Sequence, residues 1–367
     1  MPVSTAIDIV IVNYRSAGDT LGAVASVCPW RHGRIWVVDN SEDRDEAAAL
    51  SLALQQYPEA RLLVPEANLG FGEGCNQAFS RSSAEFCLFL NPDARITASD
   101  IELLAAAMEE DCRWGALSPN IYWDSQRRFL LPTPFPMTPA TRLAVALATR
   151  RPPLLLRAWA RWHLARMRQR TARPRPFAVS FLAGAVLLVR RSAVFAAGGL
   201  FDPAFFMFFE DSDLSLRLRK KGYMLGIVPA AKAVHAYRHK AYKLAMMAES
   251  EKVYYPKHFP FIYRQTRELA WIDRLGRAMD WSALVSADLG RLHSAEELSR
   301  RMGGAGVLAA GISPLLEAVV FRPVGEAPVL LSAEDWERLE PGRYVVVARQ
   351  AGQETPGAFR MLAFEKI

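Results

Sequence analysis

One carboxylate in the first hundred residues stands where a ligand is expected to bind. Asp93 follows five apolar residues, 86–90, and the pair Asn91-Pro92. Such an apolar run is typical of a strand that is covered on both faces of a sheet, and proline cannot continue the hydrogen-bond ladder. The pattern therefore puts Asp93 at the carboxyl edge of a central strand, where open α/β sheets bind ligands. The alternative is that Asp93 only caps the next helix.

A second group of acids, Glu210, Asp211 and Asp213, follows two phenylalanines and begins a helical pattern that ends before Gly222. Acids in the first turn and bases in the last turn complement the helix dipole, which accounts for some of these charges. It does not account for three acids within four residues. Because neighbouring like charges raise the pKa of at least one carboxyl group, the cluster suits a group that accepts a proton.

Two further strand ends and a glycine-rich turn are expected at the same edge. The predicted strands before Asp93 end in Asn13-Tyr14 and in Asp39, and residues 68–76 read NLGFGEGCN. Glycine-rich turns let backbone N–H groups approach a ligand closely. The spacing is neither G-x-G-x-x-G nor a Walker loop, which disfavours a dinucleotide-binding motif. Together, these strand ends and the glycine turn support a nucleotide site.

The elements that carry these residues alternate between strand and helix. The predicted strands are 7–14, 34–39, 61–64 and 86–90, and the predicted helices are about 18–27, 43–57, a segment ending near 82, and about 100–111. This alternation predicts an α/β fold with a mostly parallel sheet and right-handed crossovers. It stops after about Pro119 and resumes at about Ala178. A strand at 223–228 and helices at about 243–259 and 261–279 are predicted beyond that point.

The net charge of +7 comes from one segment of the chain. Between Asp124 and Asp202 there are 14 arginines and no acid, and the remaining 31 basic residues face 38 acidic ones. Residues 141–170 carry tryptophans among the arginines, which favours a helix on an anionic membrane surface. A solvated surface helix or loop is the alternative. Nucleic-acid binding is disfavoured because no recognisable nucleic-acid module accompanies the segment.

The cysteine and hydropathy patterns predict a cytoplasmic protein. The four cysteines form no CxxC pair and have no histidine at zinc-ligand spacing, which fits a reducing compartment. No signal peptide is recognised, and the longest uncharged apolar run, 177–189, is too short to span a bilayer.

A change of composition from about residue 281 predicts a second domain. Short strand candidates at 329–331, 344–348 and 360–364 surround a helix near 333–339. The chain is thus predicted to contain a main domain at 1–280, with an arginine-rich insertion at about 126–176. A helical linker and a small α+β appendage would occupy 281–367.

Six motifs occur in an order that resembles a known family. They are V-N-Y, V-V-D-N-S, N-L-G-F-G-E-G-C-N, L-F-L-N-P-D, F-L-A-G-A and F-F-E-D-S-D-L-S-L-R-L-R-K-K-G. Together they resemble the inverting glycosyltransferases of family 2, particularly their rhamnosyltransferase-like branch. The resemblance covers residues 7–259, apart from the arginine-rich segment. It implies a Rossmann-like nucleotide-diphospho-sugar transferase domain of the GT-A type.

The resemblance also implies roles for individual residues. Nucleotide contacts are expected from Asn13, Tyr14, Asp39, Asn68, Gly70, Gly72 and Asn91. Asp93 resembles the carboxylate of the metal-binding D-x-D motif, in which Asn91 replaces the first acid, and His235 is a candidate further ligand. Asp211 resembles the catalytic base, with Glu210 as its neighbour. Gly184 and Arg217 are expected to position the acceptor, the diphosphate or the catalytic helix.

These residue types fit glycosyl transfer. Mg²⁺ or Mn²⁺ at Asp93 can neutralise the charge that develops on a departing nucleoside diphosphate. Asp211 can take the proton of the attacking hydroxyl, and a single displacement inverts the anomeric centre.

The predicted function is transfer of a sugar from a dTDP- or UDP-linked donor to a glycan or lipid-linked saccharide. The branch suggests rhamnose as the sugar and cell-surface polysaccharide synthesis as the process, on the inner face of the membrane. The alternatives are a catalytically inactive binding or scaffold protein with this fold, and a nucleotidyltransferase.

Overall fold

The computed structural model describes most of the chain in two units. The described residues are 5–132, 136–149, 162, 165, 169, 173–236, 242–265, 285–311, 319–322, 327–349 and 360–367. The first unit comprises Met1–Ile121, Pro174–Ala236 and Tyr242–Lys257, and the second comprises Tyr122–Arg173, Tyr237–Ala241 and His258–Ile367. The predicted domain bounds at 1–280 and 281–367 stay a prediction.

The secondary structure follows the predicted alternation in the first 110 residues, except that a short strand that was not predicted, Ala94–Ile96, precedes the fourth helix. The strands, in chain order, are β1 (Ile7–Asn13), β2 (Ile35–Asp39), β3 (Ala60–Leu63), β4 (Phe86–Leu90), β5 (Ala94–Ile96), β6 (Trp114–Tyr122), β7 (Phe177–Val179), β8 (Val186–Arg190), β9 (Met224–His235), β10 (Ala287–Leu292), β11 (Gly306–Gly311), β12 (Val319–Phe321), β13 (Gly342–Arg349) and β14 (Arg360–Lys366). The helices are α1 (Ala17–Val27), α2 (Arg44–Leu54), α3 (Gly70–Arg81), α4 (Ala98–Glu110), α5 (Pro139–Thr149), α6 (Arg191–Ala196), α7 (Glu210–Lys220), α8 (Tyr242–His258), α9 (Pro260–Gln265), α10 (Ala295–Arg301) and α11 (Ala333–Arg338).

The sheet of the first unit has the order β3-β2-β1-β4-β8-β6-β9-β5, with β7 paired to β9. The ladders β1–β2, β2–β3 and β1–β4 are parallel. Strand β8 is antiparallel to both β4 and β6, so β1 to β4 and β6 run in one direction and β8 opposes them. The predicted α/β class with a mostly parallel sheet is confirmed.

Helices cover both faces of this sheet. Ile9 packs in a core with α1, α2 and α4, whereas the next residue, Val10, packs in a second core with α3, α6 and α7. The alternation follows from the two-residue repeat of a strand. Every residue of β1, β2 and β4 is buried. For β4, the apolar run 86–90 predicted this burial.

Two strands continue through a proline at which the sequence predicted that regular structure would end. Strand β6 runs through Pro119, where the regular pattern was expected to stop, and β9 continues through Pro229 to His235. The side chain of Asn120 donates to the carbonyl oxygen of Pro229 at 3.4 Å. Because proline is rare inside strands, the sequence predicts ends at both positions.

The pairing of the central strands fixes the edge where the predicted site residues meet. Asn13 lies opposite Asp39 at the ends of β1 and β2. Leu90, the last residue of β4, lies opposite Val186, the first residue of β8. Ala94 in β5 pairs with His235 in β9. The segments that follow or precede these residues therefore share one edge of the sheet.

The second unit contains a mixed sheet of order β10-β14-β13-β11-β12. Strand β10 is parallel to β14 and the other ladders are antiparallel, and α10 and α11 contribute to the core beside them. The predicted α+β character is confirmed. The strand predicted at 329–331 is wrong, because Val329 forms only an isolated bridge with Val307.

The described ranges contain no helix that is both long and apolar enough to cross a bilayer. Most of the predicted arginine-rich helix at 141–170, and most of the helix predicted at 261–279, lie outside the described residues. Their predicted roles stay predictions.

We expect one buried ion triad to stabilise the second unit strongly. Arg128 Nε lies 2.8 Å from Asp124 Oδ2, its Nη2 lies 2.5 Å from Asp335 Oδ2, and both carboxylates are almost fully buried. Arg128→Met removes the cation shared by two buried carboxylates and should lower the free energy of unfolding by about 3–5 kcal/mol. Chemical denaturation of the full chain measures it.

The matched control is Arg343→Met, because the Arg343–Asp288 pair is about half exposed. Exposed pairs contribute about 0–1 kcal/mol. Equal losses in the two variants would contradict a special role of the buried triad.

Candidate active site

A buried group of polar side chains lies at the ends of β1 and β2. Asp39 Oδ1 accepts hydrogen bonds from Asn13 Nδ2 at 2.9 Å and from Ser41 Oγ at 2.5 Å. Asp39 Oδ2 is equally buried but has no hydrogen-bond partner within the described part of the chain. An acceptor left without a partner costs free energy, so Asp39 Oδ2 is well suited to a ligand that brings a donor.

Asn13 is engaged on both ends of its amide. Its Nδ2 also lies 3.0 Å from Glu46 Oε1, and its Oδ1 accepts from Ser16 Oγ and Thr20 Oγ1 at 3.0 and 2.7 Å. The side chain is fully buried. The structure therefore places Asn13 as a support of the neighbouring carboxylate, and its predicted direct contact with a nucleotide stays a prediction.

Tyr14 and Arg15 form the exposed part of the same strand end. Half of the Tyr14 surface is accessible, and Arg15 Cζ lies 5.6 Å from the centre of its ring. Arg15 has a φ of +50°, and its N–H donates to Ser41 Oγ at 2.8 Å. Left-handed backbone is uncommon at arginine and is frequent at functional sites. Sequence patterns gave no reason to single out Arg15.

The glycine-rich turn connects this group to the segment before α7. Gly70 has a φ of +81°, and a Cβ atom there would lie 2.1 Å from the carbonyl oxygen of Phe206. The Gly70 carbonyl accepts from Asn40 Nδ2 at 2.8 Å, its N–H donates to Asn68 Oδ1 at 3.0 Å, and Phe71 N–H donates to the Phe206 carbonyl at 3.0 Å. Glycine is thus required at position 70 for backbone conformation and packing.

Gly72 allows α3 to approach the acidic cluster. A Cβ atom on Gly72 would lie 3.3 Å from Phe201 Cβ and 3.6 Å from Glu210 Cβ. Both glycines are therefore accounted for by packing, and whether they also contact a nucleotide stays a prediction.

Two strained residues precede the acids of α7. Phe208 and Phe209 have φ values of +70° and +68°, and Phe209 is the N-cap residue of the helix. The left-handed region costs a bulky residue roughly 1–2 kcal/mol. Such strain persists only where the surroundings enforce it, and it is concentrated at active sites.

Asp211 is held by backbone donors. Its Oδ2 accepts from the N–H of Gly184 at 3.0 Å and its Oδ1 accepts from the N–H of Ser212 at 2.7 Å. Burial raises the pKa of Asp211, and these hydrogen bonds oppose the rise without cancelling it. A carboxylate with a raised pKa is a stronger base than an ordinary aspartate.

Glu210 occupies a different environment from its neighbour. Its side chain is buried against α3, near Gly72 and Cys75, and its Oε2 has no hydrogen-bond partner within the described residues. Burial raises the pKa of Glu210 well above its usual range, and the charge of Asp211 raises it further. The pKa values of both neighbouring carboxyl groups are therefore raised, and that of Glu210 is raised more strongly.

The third acid of the cluster is neutralised by two cations. Asp213 is fully buried, with Arg217 Nε 2.7 Å from its Oδ2 and Lys257 Nζ 2.6 Å from its Oδ1. Arg217 also donates to the carbonyl oxygens of Ala197 and Gly199 at 3.0 and 2.7 Å. These contacts attach α7 to the 197–200 turn, and the predicted role of Arg217 in positioning the catalytic helix stays a prediction. Its alternative contact with a diphosphate stays a prediction.

The two predicted metal ligands lie side by side. Asp93 Oδ1 is 3.1 Å from His235 Nε2, and Asp93 directly precedes Ala94, which pairs with His235. Arg95 Nη1 supports the turn by donating to the carbonyl oxygens of Pro92 and Ala94 at 2.7 and 2.8 Å. The 3.1 Å separation of Asp93 and His235 is a direct contact between the two side chains. Because Mg²⁺ and Mn²⁺ prefer oxygen ligands, the Asp93 carboxylate fits such an ion better than the His235 imidazole does.

The described residues contain no cluster of three or more His, Cys, Asp or Glu side chains able to hold a metal. A two-residue site still fits a Mg²⁺-type cofactor, because that ion commonly keeps waters and takes its other ligands from substrate phosphates.

Two series of contacts join the predicted residues. The first runs from the Asp39 group through Asn40 and Gly70 to Phe206, four residues before Glu210. The second runs from Asp211 through Gly184 to Ala185, whose carbonyl accepts from the N–H of Asn91 at 2.9 Å, two residues before Asp93. Arg217 lies outside both series, on the side of α7 that faces the 197–200 turn.

Comparison with known proteins identifies the family. The model of glycosyl transferase family 2 matches residues 8–194, which is half of the chain. The chain belongs to glycosyl transferase family 2. This family 2 glycosyltransferase is 31% identical over 241 residues to the N-acetylglucosaminyl-diphospho-decaprenol L-rhamnosyltransferase of Mycobacterium tuberculosis. The match covers 60% of this chain and 71% of that protein.

Two solved structures are similar in outline. GalNAc-T7 with UDP, GalNAc and Mn²⁺ is 14% identical with a TM-score of 0.48, over 76% of this chain and 55% of that one. The mannosyltransferase PcManGT of Pyrobaculum calidifontis with GDP-Man and Mn²⁺ is 16% identical with a TM-score of 0.46, over 68% and 62%. This chain spans less than two thirds of either protein, and likeness at this level says nothing about its substrate.

The environment of Glu210 predicts a stability that depends on pH. Because the pKa of Glu210 is raised in the folded state, its contribution to the free energy of unfolding is greatest at acid pH. This contribution falls as the pH rises above about 4.3, the ordinary pKa of a glutamate. Glu210→Gln removes this titration. The free energy of unfolding of the variant should match that of the wild type near pH 4 and exceed it increasingly toward neutral pH.

Chemical denaturation at several pH values measures the difference. Glu249→Gln is the control, because Glu249 is 72% exposed in a surface pair with Lys252. If the Glu210→Gln and wild-type curves ran parallel between pH 4 and 8, the assignment of a raised pKa would be wrong.

Proposed function

We propose that this family 2 glycosyltransferase transfers a sugar from a nucleotide-diphosphate donor to an acceptor hydroxyl with inversion, and that Asp211 is the general base. The observation that carries the proposal is the fixing of the Asp211 carboxylate by the N–H of Gly184, at the sheet edge that also carries Asp93. Asp211 takes the proton of the acceptor hydroxyl while the hydroxyl oxygen bonds to the anomeric carbon. The bond from that carbon to the diphosphate oxygen breaks, and the nucleoside diphosphate leaves.

The strand ends of β1 and β2 would bind the nucleoside. Asp39 Oδ2 is buried without a partner in the described part of the chain, so it can accept a hydrogen bond from a base N–H or a ribose hydroxyl. Tyr14 is an exposed ring beside it, on which a base can stack. Arg15 adds a guanidinium group at the same strand end, and its chemistry suits a phosphate oxygen.

Asp93 and His235 would hold a Mg²⁺ or Mn²⁺ ion. The bound ion would supply neutralisation of the charge that develops on the diphosphate. The chain's own contribution is the fixed turn between β4 and β5, in which Arg95 holds the carbonyl groups on both sides of Asp93.

The donor and acceptor are proposed from the named relative. That protein is called an L-rhamnosyltransferase that acts on N-acetylglucosaminyl-diphospho-decaprenol. We therefore expect rhamnose, carried on a dTDP or UDP nucleotide, and an acceptor saccharide on a lipid diphosphate. The arginine-rich sequence between Asp124 and Asp202 would suit approach to an anionic membrane that carries such an acceptor.

The base assignment predicts a loss of transfer in Asp211→Asn. The amide keeps the shape of the side chain but cannot accept the proton, so the transfer rate should fall about 10²- to 10⁴-fold while nucleotide binding is retained. Transfer is measured with a panel of dTDP- and UDP-sugars, and calorimetry with dTDP and UDP measures binding. NMR of the product should show an inverted anomeric centre.

Asp111→Asn is the matched control, since Asp111 is a surface acid paired with Arg113 beyond the end of α4. Wild-type transfer by Asp211→Asn would exclude Asp211 as the base. A retained anomeric configuration would exclude single displacement.

The metal assignment predicts that Asp93→Asn weakens nucleotide binding only when Mn²⁺ is present. The affinity for dTDP or UDP should fall by about tenfold or more in Mn²⁺ and change little in EDTA, because the carboxylate acts through the ion. Calorimetry under both conditions measures the split. An equal effect in both would show that Asp93 contacts the nucleotide or supports the fold without a metal.

A further inference from the structure

One face of α8 contacts the segment that leads into the acids of α7. Ser250, Tyr254 and Lys257 are spaced at i, i+4 and i+7, so they lie on the same side of the helix. Ser250 Oγ donates to the carbonyl oxygen of Met207 at 2.7 Å. The ring of Tyr254 lies 5.1 Å from the ring of Phe209. The helix thus contacts both ends of residues 207–209, the left-handed turn that contains Phe208 and Phe209.

The Phe209 side chain is enclosed by this face. It is 3% exposed, and the Tyr255 ring lies 6.4 Å from it in addition to that of Tyr254. The two tyrosine rings pack edge to face at 5.4 Å. Because Phe208 and Phe209 both have positive φ, relaxing the turn toward ordinary backbone would withdraw Phe209 from this enclosure. Packing on α8 therefore opposes the strain of the turn.

Lys257 adds an electrostatic connection on the same face. Its Nζ lies 2.6 Å from Asp213 Oδ1 and 2.5 Å from Asp202 Oδ2, so it links α8 both to α7 and to the segment before the turn. Asp213 is fully buried, and Arg217 neutralises its other oxygen. Loss of Lys257 would leave part of a buried charge uncompensated two residues from Asp211.

We propose that the Ser250–Tyr254–Lys257 face of α8 positions the catalytic base by holding the left-handed turn at 207–209, and that Lys257 is a positioning residue for Asp211. The proposal rests on the proposed function of Asp211 as the base. The Ser250 hydroxyl contacts Met207 at the start of the turn, and the Lys257 ammonium contacts Asp202 before the turn and Asp213 after it. The N–H of Gly184 holds the Asp211 carboxylate. A small rotation of α7 would lengthen or break the hydrogen bond from the Gly184 N–H to Asp211.

The test compares Lys257→Met with Lys257→Arg and with Lys252→Met. Lys252 lies on another side of α8 and is 65% exposed, so it is a matched control. Transfer from dTDP-rhamnose to a polyprenyl-diphospho-N-acetylglucosamine gives kcat and KM, and calorimetry gives the affinity for dTDP. Lys257→Met should lower kcat about tenfold or more with dTDP affinity within about twofold, since small misplacement of a catalytic group reduces the rate strongly. Lys257→Arg should recover most of the rate, and Lys252→Met should match the wild type.

Hydrogen exchange of residues 205–216 provides a readout that needs no substrate. Exchange should accelerate in Lys257→Met and stay unchanged in Lys252→Met. Unchanged exchange and unchanged kcat in Lys257→Met would overturn the proposal. If Lys257→Met lowers the melting temperature as well, Ser250→Ala decides: a lower kcat at unchanged melting temperature supports the proposal, and an unchanged kcat overturns it.

A double-mutant cycle separates this proposal from the assignment of the base. If Lys257 acts through Asp211, Lys257→Met should have little further effect on transfer in the Asp211→Asn background. If the losses of transfer rate in the two single variants multiplied in the double variant, Lys257 would not act through Asp211. The positioning role would then be overturned, and the assignment of Asp211 as the base would stand. Wild-type transfer by Asp211→Asn alone would instead remove the base assignment.

Discussion

The antiparallel register of β4 and β8 is the constraint on which the site depends. Leu90 lies opposite Val186. Asn91, which follows Leu90, therefore donates its N–H to the carbonyl of Ala185, which precedes Val186. Gly184 precedes Ala185, two residues before the start of β8, and its N–H donates to the Asp211 carboxylate. A slip of one residue would turn every buried side chain of β8 to the other face of the sheet. The two buried cores thus fix the relation between the segments of Asp93 and Asp211.

The same edge carries the unfavourable features of the first unit. Within the described residues, the buried side-chain oxygens without a hydrogen-bond partner are Asp39 Oδ2, Asn40 Oδ1 and Glu210 Oε2. Phe208 and Phe209 add backbone strain beside them. Each feature lowers stability, and none is needed to form the sheet. Concentration of such features in one place is expected of a site selected for binding and chemistry.

Sequence patterns were sufficient for the features that depend on local rules. The apolar run 86–90 predicted a buried strand, and the charges of α7 predicted its first and last turns. The local proline rule failed at Pro119 and Pro229: β6 continues to Tyr122, and β9 continues to His235, where it pairs with β5. The α/β class therefore followed from the sequence, whereas the extent of the later strands did not.

The left-handed turn and the use of Arg217 were not predictable in this way. The sequence Met-Phe-Phe-Glu contains none of the residues that usually signal positive φ, such as glycine or asparagine. Arg217 contacts carbonyl groups of the 197–200 turn, which is near in space only after α6 and α7 have packed. Both features depend on contacts between distant parts of the chain. A sequence motif identifies the type of residue, but it does not identify the distant residue that this side chain contacts in the folded protein.

The three acids of α7 show how environment separates residues that a charge pattern treats alike. Burial raises the pKa of Glu210 well above the usual range, and no cation of the described residues pairs with it. Asp211 is buried but accepts two backbone hydrogen bonds, so its pKa is raised and its charge is still stabilised. Asp213 is fully buried between two cations. A base that works near neutral pH needs the middle condition, because full neutralisation would weaken it and unrelieved burial would leave it protonated. Among the three acids within residues 210–213, Asp211 has this intermediate environment, which is the one that its proposed role as general base requires.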